Sequence, residues 1–259
     1  MDFTLHTYRR LLLALKDARY NFLTFESYCR QKENKTLPER FVILRHDVDT
    51  KAYNALRIAK IEKELGIKSS YYFRVVPQSN KAEIIREIVA IGHEIGYHYE
   101  DLSLCKGNLS DAIRHFEKQL VYFRTYYPVK TICMHGSPAS KIDNRDIWKH
   151  LHYKNYGILG EPYFDIDYKK IFYITDTGRA WDGDKFNVRD KVDSNFDVHF
   201  HSTKDIIKAI ENQELPHHFM INTHPHRWTQ GLYEWLYEYI TQNAKNVIKR
   251  IIVKNQKKS

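Results

Sequence analysis

An apolar segment that ends in two carboxylates and a histidine is the first feature of the sequence with residue types suited to chemistry. Phe41–Asp49 reads Phe-Val-Ile-Leu-Arg-His-Asp-Val-Asp. Side chains alternate between the two faces of a strand, so Arg45, Asp47 and Asp49 are predicted to share one face. Catalytic groups collect at the carboxyl ends of parallel strands, because the following loop leaves side chains open to a ligand. A helix cap at Asp49 or Thr50 is the structural alternative, but it leaves Asp47 unexplained.

Histidines stand at further predicted strand ends. His98 closes Gly-His-Glu-Ile-Gly-Tyr-His, His135 follows Thr-Ile-Cys-Met, and His224 and His226 lie in Asn-Thr-His-Pro-His. The chain has 14 histidines, and one alone at a strand end is usually a packing residue, so the prediction depends on their co-location. Aspartate, histidine and an open position are what a catalytic divalent metal needs, most often zinc. The sequence therefore predicts a metal hydrolase site.

Alternating strand and helix patterns must position these residues. The predicted strands cover 41–49, 70–76, 94–99, 131–135, 171–175 and 219–223, with a further short strand over 21–25. The predicted helices cover 4–18, 51–65, 81–91, 109–126, 144–151, 203–212 and 230–251. Such alternation predicts a parallel sheet, and about seven units predict a closed or nearly closed α/β barrel. We expect a single domain over 1–259, with a helical N-terminal extension over about 1–38, long loops between 155 and 200, and a basic C-terminal helix over about 230–259.

Two motifs resemble those of the polysaccharide deacetylases, the NodB-homology group of carbohydrate esterase family four. They are Leu44–Asp49 and Gly92–His98, and the first is most similar to a divergent branch with an Arg-His-Asp-Val-Asp opening. The resemblance covers roughly residues 40–226. It implies a single distorted (β/α)7 barrel that removes an N-acetyl group from a sugar or surface-polysaccharide precursor with a divalent metal.

The resemblance also implies roles for individual residues. By position, Asp47 matches the general base, Asp49 and His98 match metal ligands, and His224 matches the late catalytic histidine, which protonates the leaving amine. The family has two adjacent aspartates, whereas Val48 separates them here, so the roles of Asp47 and Asp49 are exchangeable. Gly96 would leave room beside the metal.

One metal ligand of the family pattern is missing. The second metal histidine of the family lies four residues after the first, where this chain has Leu102. Glu100, Asp101 and His135 are the candidate substitutes. We expect His135 to be the third ligand, because it ends a different strand and a barrel brings strand ends together.

The residues around the metal also differ from the family. Because the arginine segment that orients the base is absent near His135, Arg45 or Arg179 must serve instead. Arg45, Tyr97, Trp181 and His226 are the predicted substrate-binding residues, the aromatic ones as platforms for a sugar. His226 is also a reserve candidate for the general acid.

Composition limits the classes of function. Six basic residues and no acidic one follow Asn243, so most of the formal charge of +9 lies in the tail, and a nucleic-acid-binding body is not expected. Three cysteines at no metal spacing favour a reducing, cytoplasmic setting, and no transmembrane segment is expected. The expected partner is an N-acetyl sugar, small or oligomeric; the oligomeric state stays open. The alternative function is a catalytically degenerate barrel that binds a glycan or protein partner.

Overall fold

Parallel strands form one curled sheet in the computed structural model, which describes residues 1–136, 140–181 and 192–256, without the side chains of 248–256. The strands are β1 (Asn21–Leu23), β2 (Phe41–Val48), β3 (Ser70–Phe73), β4 (Glu94–Tyr99), β5 (Ile132–Met134), β6 (Phe172–Thr175) and β7 (His218–Thr223). Their order is β5-β4-β3-β2-β7-β6, with β1 also paired to β2. The predicted α/β barrel of parallel strands is confirmed as a curled half-barrel with β5 and β6 at its edges.

Helices connect most of the strands. They are α1 (Leu5–Asp17), α2 (Phe25–Glu33), α3 (Ala52–Glu64), α4 (Ala82–Ala90), α5 (Asp101–Leu104), α6 (Leu109–Arg124), α7 (Pro162–Asp165), α8 (Thr203–Glu211) and α9 (Leu232–Gln256). The predicted helix over 144–151 is a 3-10 helix at Asn144–Lys149. Helix α2 was not predicted, and β1 joins the sheet, so the N-terminal segment is more than a helical extension. None of the helices among the described residues is long and apolar enough to cross a membrane.

Some predicted features lie outside the described residues. They are residues 182–191 of the predicted loop region, residues 257–259 of the basic tail, and Ser137 and Pro138 after His135.

Strand β2 lies at the centre of the sheet. Its side chains alternate between the layer that faces the helices and the interior of the half-barrel. Its outward residues, such as Val42 and Leu44, pack in the layer between sheet and helices. Its inward residues Phe41 and Ile43 pack inside the half-barrel. Because a parallel strand covered on both faces is buried along its length, all eight residues of β2 are buried. The next inward positions in this alternation belong to Arg45 and Asp47.

A buried carboxylate ties β2 to the helices behind it. Glu62 of α3 accepts hydrogen bonds from the hydroxyls of Tyr8 (2.6 Å), Ser69 (2.5 Å) and Tyr71 (2.5 Å) and contacts His46 Nε2 at 2.8 Å. Burial alone would raise the pKa of Glu62, but His46, His93 and the Ser69 hydroxyl together lower it to about 2. His46 therefore belongs to this network and points away from Asp47 and Asp49, on the other face of the strand.

Candidate metal and acid–base site

The carboxyl ends of four strands bring the predicted chemical residues together. Asp47 lies at the end of β2 and Asp49 just after it, His98 lies on β4, and His135 and His224 follow β5 and β7. Asp47, His98 and His224 are buried, whereas Asp49 and His135 are partly exposed. The capping alternative for Asp49 is wrong, because α3 is preceded by Lys51 at φ 50° and has no side-chain cap.

Asp49, His98 and His135 form a group whose ligand atoms lie within 4.8 Å of one another. Asp49 Oδ1 is 3.5 Å from His98 Nε2 and 3.5 Å from His135 Nε2. This buried oxygen has no hydrogen-bond partner among the described residues. His98 Nδ1 contacts the carbonyl oxygen of Cys133 at 2.9 Å, which directs Nε2 towards Asp49. One carboxylate and two imidazoles with an unsatisfied oxygen between them suit a divalent metal such as zinc.

Glu100 and Arg74 hold His135 in place. Its Nδ1 lies 3.0 Å from Glu100 Oε2, and Arg74 donates two hydrogen bonds to that carboxylate, at 2.7 and 2.8 Å. Burial would raise the pKa of Glu100, but the hydrogen bonds from His135 and Arg74 lower it to about 2. Carboxylates in this position orient a ligating imidazole and raise its basicity. Glu100 thus supports His135, while Asp101 faces away and accepts from the Tyr97 hydroxyl.

Asp47 is paired with an arginine on its own strand. Arg45 donates to both oxygens of Asp47, at 2.9 and 2.6 Å, and Asn222 Nδ2 donates at 3.0 Å. Burial would raise the pKa of Asp47, but Arg45 and His98 outweigh it and lower the pKa to about 2. Of the two proposed base-orienting arginines, Arg45 has this contact, whereas Arg179 lies over the ring of Trp235.

Cys133 offers a second ligand group, with Asp47 and His98. The two groups share His98, so they compete for one ion. Asp47 is held in an ion pair with Arg45, whereas Asp49 Oδ1 has no hydrogen-bond partner among the described residues. This contrast favours the group that contains Asp49.

His224 is oriented by an aspartate that sequence analysis missed. Asp176 Oδ1 lies 2.6 Å from His224 Nδ1, and Trp228 Nε1 donates to Asp176 Oδ2 at 2.8 Å. Arg227 Nη1 lies 2.7 Å from the same His224 nitrogen, so Asp176 and Arg227 together hold the ring through Nδ1. Burial would raise the pKa of Asp176, but Arg227 and His224 lower it to about 2. His224 Nε2 is left facing the site, 3.9 Å from Asp49 Oδ2.

His226 does not suit the reserve role of general acid. Its ring lies 6.0 Å from that of His224, and its buried Nδ1 has no hydrogen-bond partner in the described part of the chain. Burial and the neighbouring Arg227 hold the pKa of His226 well below its usual range. A neutral imidazole can form a hydrogen bond with a substrate. A general acid, however, must be the protonated imidazolium.

Two predicted sugar platforms lie in the core instead. Tyr97 is fully buried, stacks on Phe116, and donates its hydroxyl to Asp101. Trp181 is buried against Phe3 and donates Nε1 to Thr203 at 2.9 Å. Neither ring has an open face for a sugar, because both satisfy apolar packing and their polar atoms within the protein. The prediction of substrate contacts for these two residues is therefore corrected.

Two other positions have structural explanations. A Cβ atom at Gly96 would lie 2.3 Å from the ring of Tyr72, so this glycine makes room for that ring rather than for a metal. Leu102, at the position of the missing family histidine, is buried in the core.

Asp176 and Asn222 carried signals that the sequence analysis did not use. Asp176 directly follows β6, so the rule of carboxylates at strand ends applies to it as it does to Asp47. Asn222 lies near the end of β7, two residues before His224. Alternation along β7 places it on the inward face, opposite Arg45 of β2.

Several solved structures are similar to this chain. A Streptococcus pyogenes deacetylase, PplD, in complex with acetate has 18% identity and a TM-score of 0.44, over 57% of this chain and 70% of that one. IcaB from Ammonifex degensii has 15% identity and a TM-score of 0.46, over 59% of this chain and 72% of its own. A CE4 family pseudoenzyme from Bacillus anthracis has 12% identity and a TM-score of 0.43, over 82% of this chain and 66% of its own. No protein-family model and no curated protein matches the sequence.

Proposed function

We propose that the protein is a metal-dependent hydrolase that removes an N-acetyl group from a sugar or a surface-polysaccharide precursor. Asp49, His98 and His135 would hold the metal, with zinc the expected ion. The observation that carries the proposal is the position of two oriented proton-transfer groups around one ligand cluster. Asp47 Oδ2 lies 3.8 Å from His98 Nε2 on one side, and His224 Nε2 lies 3.9 Å from Asp49 Oδ2 on the other.

Asp47 is the proposed general base. Arg45 and Asn222 fix the carboxylate, and its pKa of about 2 keeps it ionised at neutral pH, as a base must be before it accepts a proton. Asp47 takes a proton from the water that attacks the acetyl carbonyl. A divalent metal bound at the ligand cluster would polarise that carbonyl and make the water more acidic.

His224 is the proposed general acid. Asp176 contacts Nδ1 and orients the ring, so that Nε2 faces the site, where a proton on it could reach the substrate. When the C–N bond breaks, Nε2 gives this proton to the leaving amine. The products are acetate and a free amino sugar. His226, with its neutral ring, and the remaining open edge of the site are the proposed contacts for the sugar.

The alternative function is a degenerate barrel that binds a glycan without chemistry. Leu102 favours this alternative, because the histidine of the family pattern is absent there. His135 offsets it, since it supplies a second imidazole from a neighbouring strand with its own Glu100 and Arg74 support. Arg45 likewise gives the base the arginine partner that the missing family segment would have supplied.

Acetate release tests the proposal. Protein loaded with zinc, and the same protein treated with a chelator, would be incubated with N-acetylglucosamine oligomers and with nucleotide-linked N-acetyl sugars. We expect equal amounts of acetate and free amine from at least one substrate class, and loss of both after chelation. Glycan binding by zinc-loaded protein without acetate release would instead support the degenerate barrel.

A further inference from the structure

Helix α9 turns its polar side towards the protein. Glu238, Gln242 and Asn246 are buried, although their spacing of four residues places them on one side of a helix. Glu238 pairs with Lys51 at 2.6 Å, and Asn246 Nδ2 donates to the carbonyl oxygen of Gly178 at 2.8 Å. The usual arrangement of a surface helix, apolar inward and polar outward, is reversed here.

The opposite side of α9 is apolar and exposed. Its residues are between 44% and 83% exposed, and they are Leu232, Tyr233, Leu236, Tyr237, Ile240 and Val247. Most of them are separated by three, four or seven residues, so they form one continuous stripe, the α9 stripe. A run of exposed apolar side chains of this kind marks an interaction surface rather than the scatter normal for a protein surface.

Positive charge accompanies the stripe. Six basic residues and no acidic one follow Asn243, beginning with the exposed Lys245. The two acidic residues of α9 do not neutralise them, because Glu234 pairs with Arg57 and Glu238 with Lys51. The sequence that follows the stripe therefore carries unbalanced positive charge.

We propose that the α9 stripe docks on an anionic lipid bilayer. An amphipathic helix lies in the membrane interface when its apolar side enters the lipid and its basic residues meet anionic headgroups. Tyrosine side chains, which form part of this stripe, are favoured at that depth. A second copy of the chain would cover the apolar side chains, but both acidic residues of its α9 are already paired with Lys51 and Arg57, so this helix offers the basic end little negative charge. The bilayer satisfies both features, and this inference does not depend on the proposed catalytic function.

Vesicle co-sedimentation of the full chain tests the proposal. Vesicles of phosphatidylcholine alone would be compared with vesicles that contain phosphatidylglycerol as well. We expect binding to the anionic vesicles, weak binding to the neutral ones, and loss of binding at about 0.5 M salt, where surface charges are screened. The double variant Tyr233→Gln/Ile240→Gln should bind at least about tenfold more weakly, because both exposed side chains lose apolar area.

Val121→Gln is the matched control, because Val121 is 65% exposed on a different helix, α6. It should bind like the parent. Replacing Lys245, Lys249 and Arg250 by glutamine should weaken binding about fivefold for each charge removed. Circular dichroism checks that each variant keeps its helices. Absence of binding to both vesicles, equal binding to both, or a concentration-dependent dimer that Tyr233→Gln/Ile240→Gln abolishes would each overturn the proposal.

Discussion

Two aspartates separated by one residue have different surroundings at this site. Asp47 is enclosed by Arg45 and Asn222, whereas Asp49 reaches two histidines and retains an oxygen without a hydrogen bond in the described residues. An ion pair with arginine fixes and ionises a carboxylate, while an unsatisfied oxygen beside imidazoles is free to ligate a cation. The sequence left these roles exchangeable; the surroundings support Asp47 as base and Asp49 as ligand.

Asp47→Asn should remove most activity while the zinc affinity stays within a few-fold of the parent. The amide keeps the shape of the side chain but cannot accept the proton, and losses of a general base are typically about 10²- to 10⁴-fold. Acetate release and zinc titration of the same preparation check this. Loss of zinc by Asp47→Asn, together with its retention by Asp49→Asn, would mean that the two roles are reversed.

Asp176→Asn should affect substrates according to their leaving groups. Without the carboxylate, His224 loses the partner that orients its ring through Nδ1, and the release of a poor leaving group such as an amine slows by about 10²- to 10⁴-fold. An activated aryl acetate, whose leaving group needs no proton, should lose much less. The rates of the parent and the variant on both substrates give the loss of activity for each leaving group. An equal loss on the two would exclude His224 as the acid and leave Asp176 a structural role.

The ends of individual strands were predictable from the sequence, but the residues that surround each of their side chains were not. The bounds of β4 were predicted to the residue, because alternating apolar residues and flanking glycine mark a strand directly. Tyr97, on that same strand, was misassigned, since its partners Asp101 and Phe116 come from other elements. Asp176 was missed although the strand over 171–175 was predicted with the correct end, because the residue that follows this strand was not considered as a functional carboxylate.

Gly96→Ala should destabilise the fold by about 1–3 kcal/mol, the usual cost of overpacking a core. Its Cβ atom would meet the ring of Tyr72 at 2.3 Å and the carbonyl oxygen of Thr131 at 3.0 Å. The matched control is Gly231→Ala, where no heavy atom of the described residues, apart from the adjacent residues in the chain, lies within 4 Å of the added carbon. Urea unfolding of both variants measures the difference. Equal stability of the two would mean that Tyr72 moves aside without cost.

Glu62 should make the fold sensitive to acid. Its pKa falls from an ordinary value of 4.5 to about 2, so its stabilising contribution is complete above about pH 4.5 and is lost as the pH falls towards 2. Glu62→Gln should be less stable than the parent by about 3–5 kcal/mol at pH 7, because a buried ionic partner is removed. Its free energy of unfolding should also fall less between pH 5 and pH 3. If the free energy of unfolding of Glu62→Gln fell with pH as steeply as that of the parent, Glu62 would not be the group that makes the fold sensitive to acid.

At the scale of the whole molecule, the curled sheet converts distant sequence positions into one site. The parallel alternation of strands and helices followed from the sequence, since hydrophobic period and glycine stops are local signals. The co-location of His98 and His135 also followed, because parallel strands end at one edge. The open shape of the half-barrel and the reversed polarity of α9 could not be predicted from the sequence. Both depend on which side of each strand or helix packs against the rest of the fold.

We propose that His135 completes a metal site which Leu102 leaves one ligand short. Titration of metal-free protein with zinc tests it most directly. The parent should bind one zinc ion per chain, and His135→Ala should bind more than about 100-fold more weakly, a larger loss than the roughly 10- to 100-fold expected when Glu100→Gln removes only a supporting contact. His226→Ala, outside the ligand cluster, should match the parent. Zinc binding by His135→Ala at the parent's affinity, with Glu100→Gln weakened, would contradict the account.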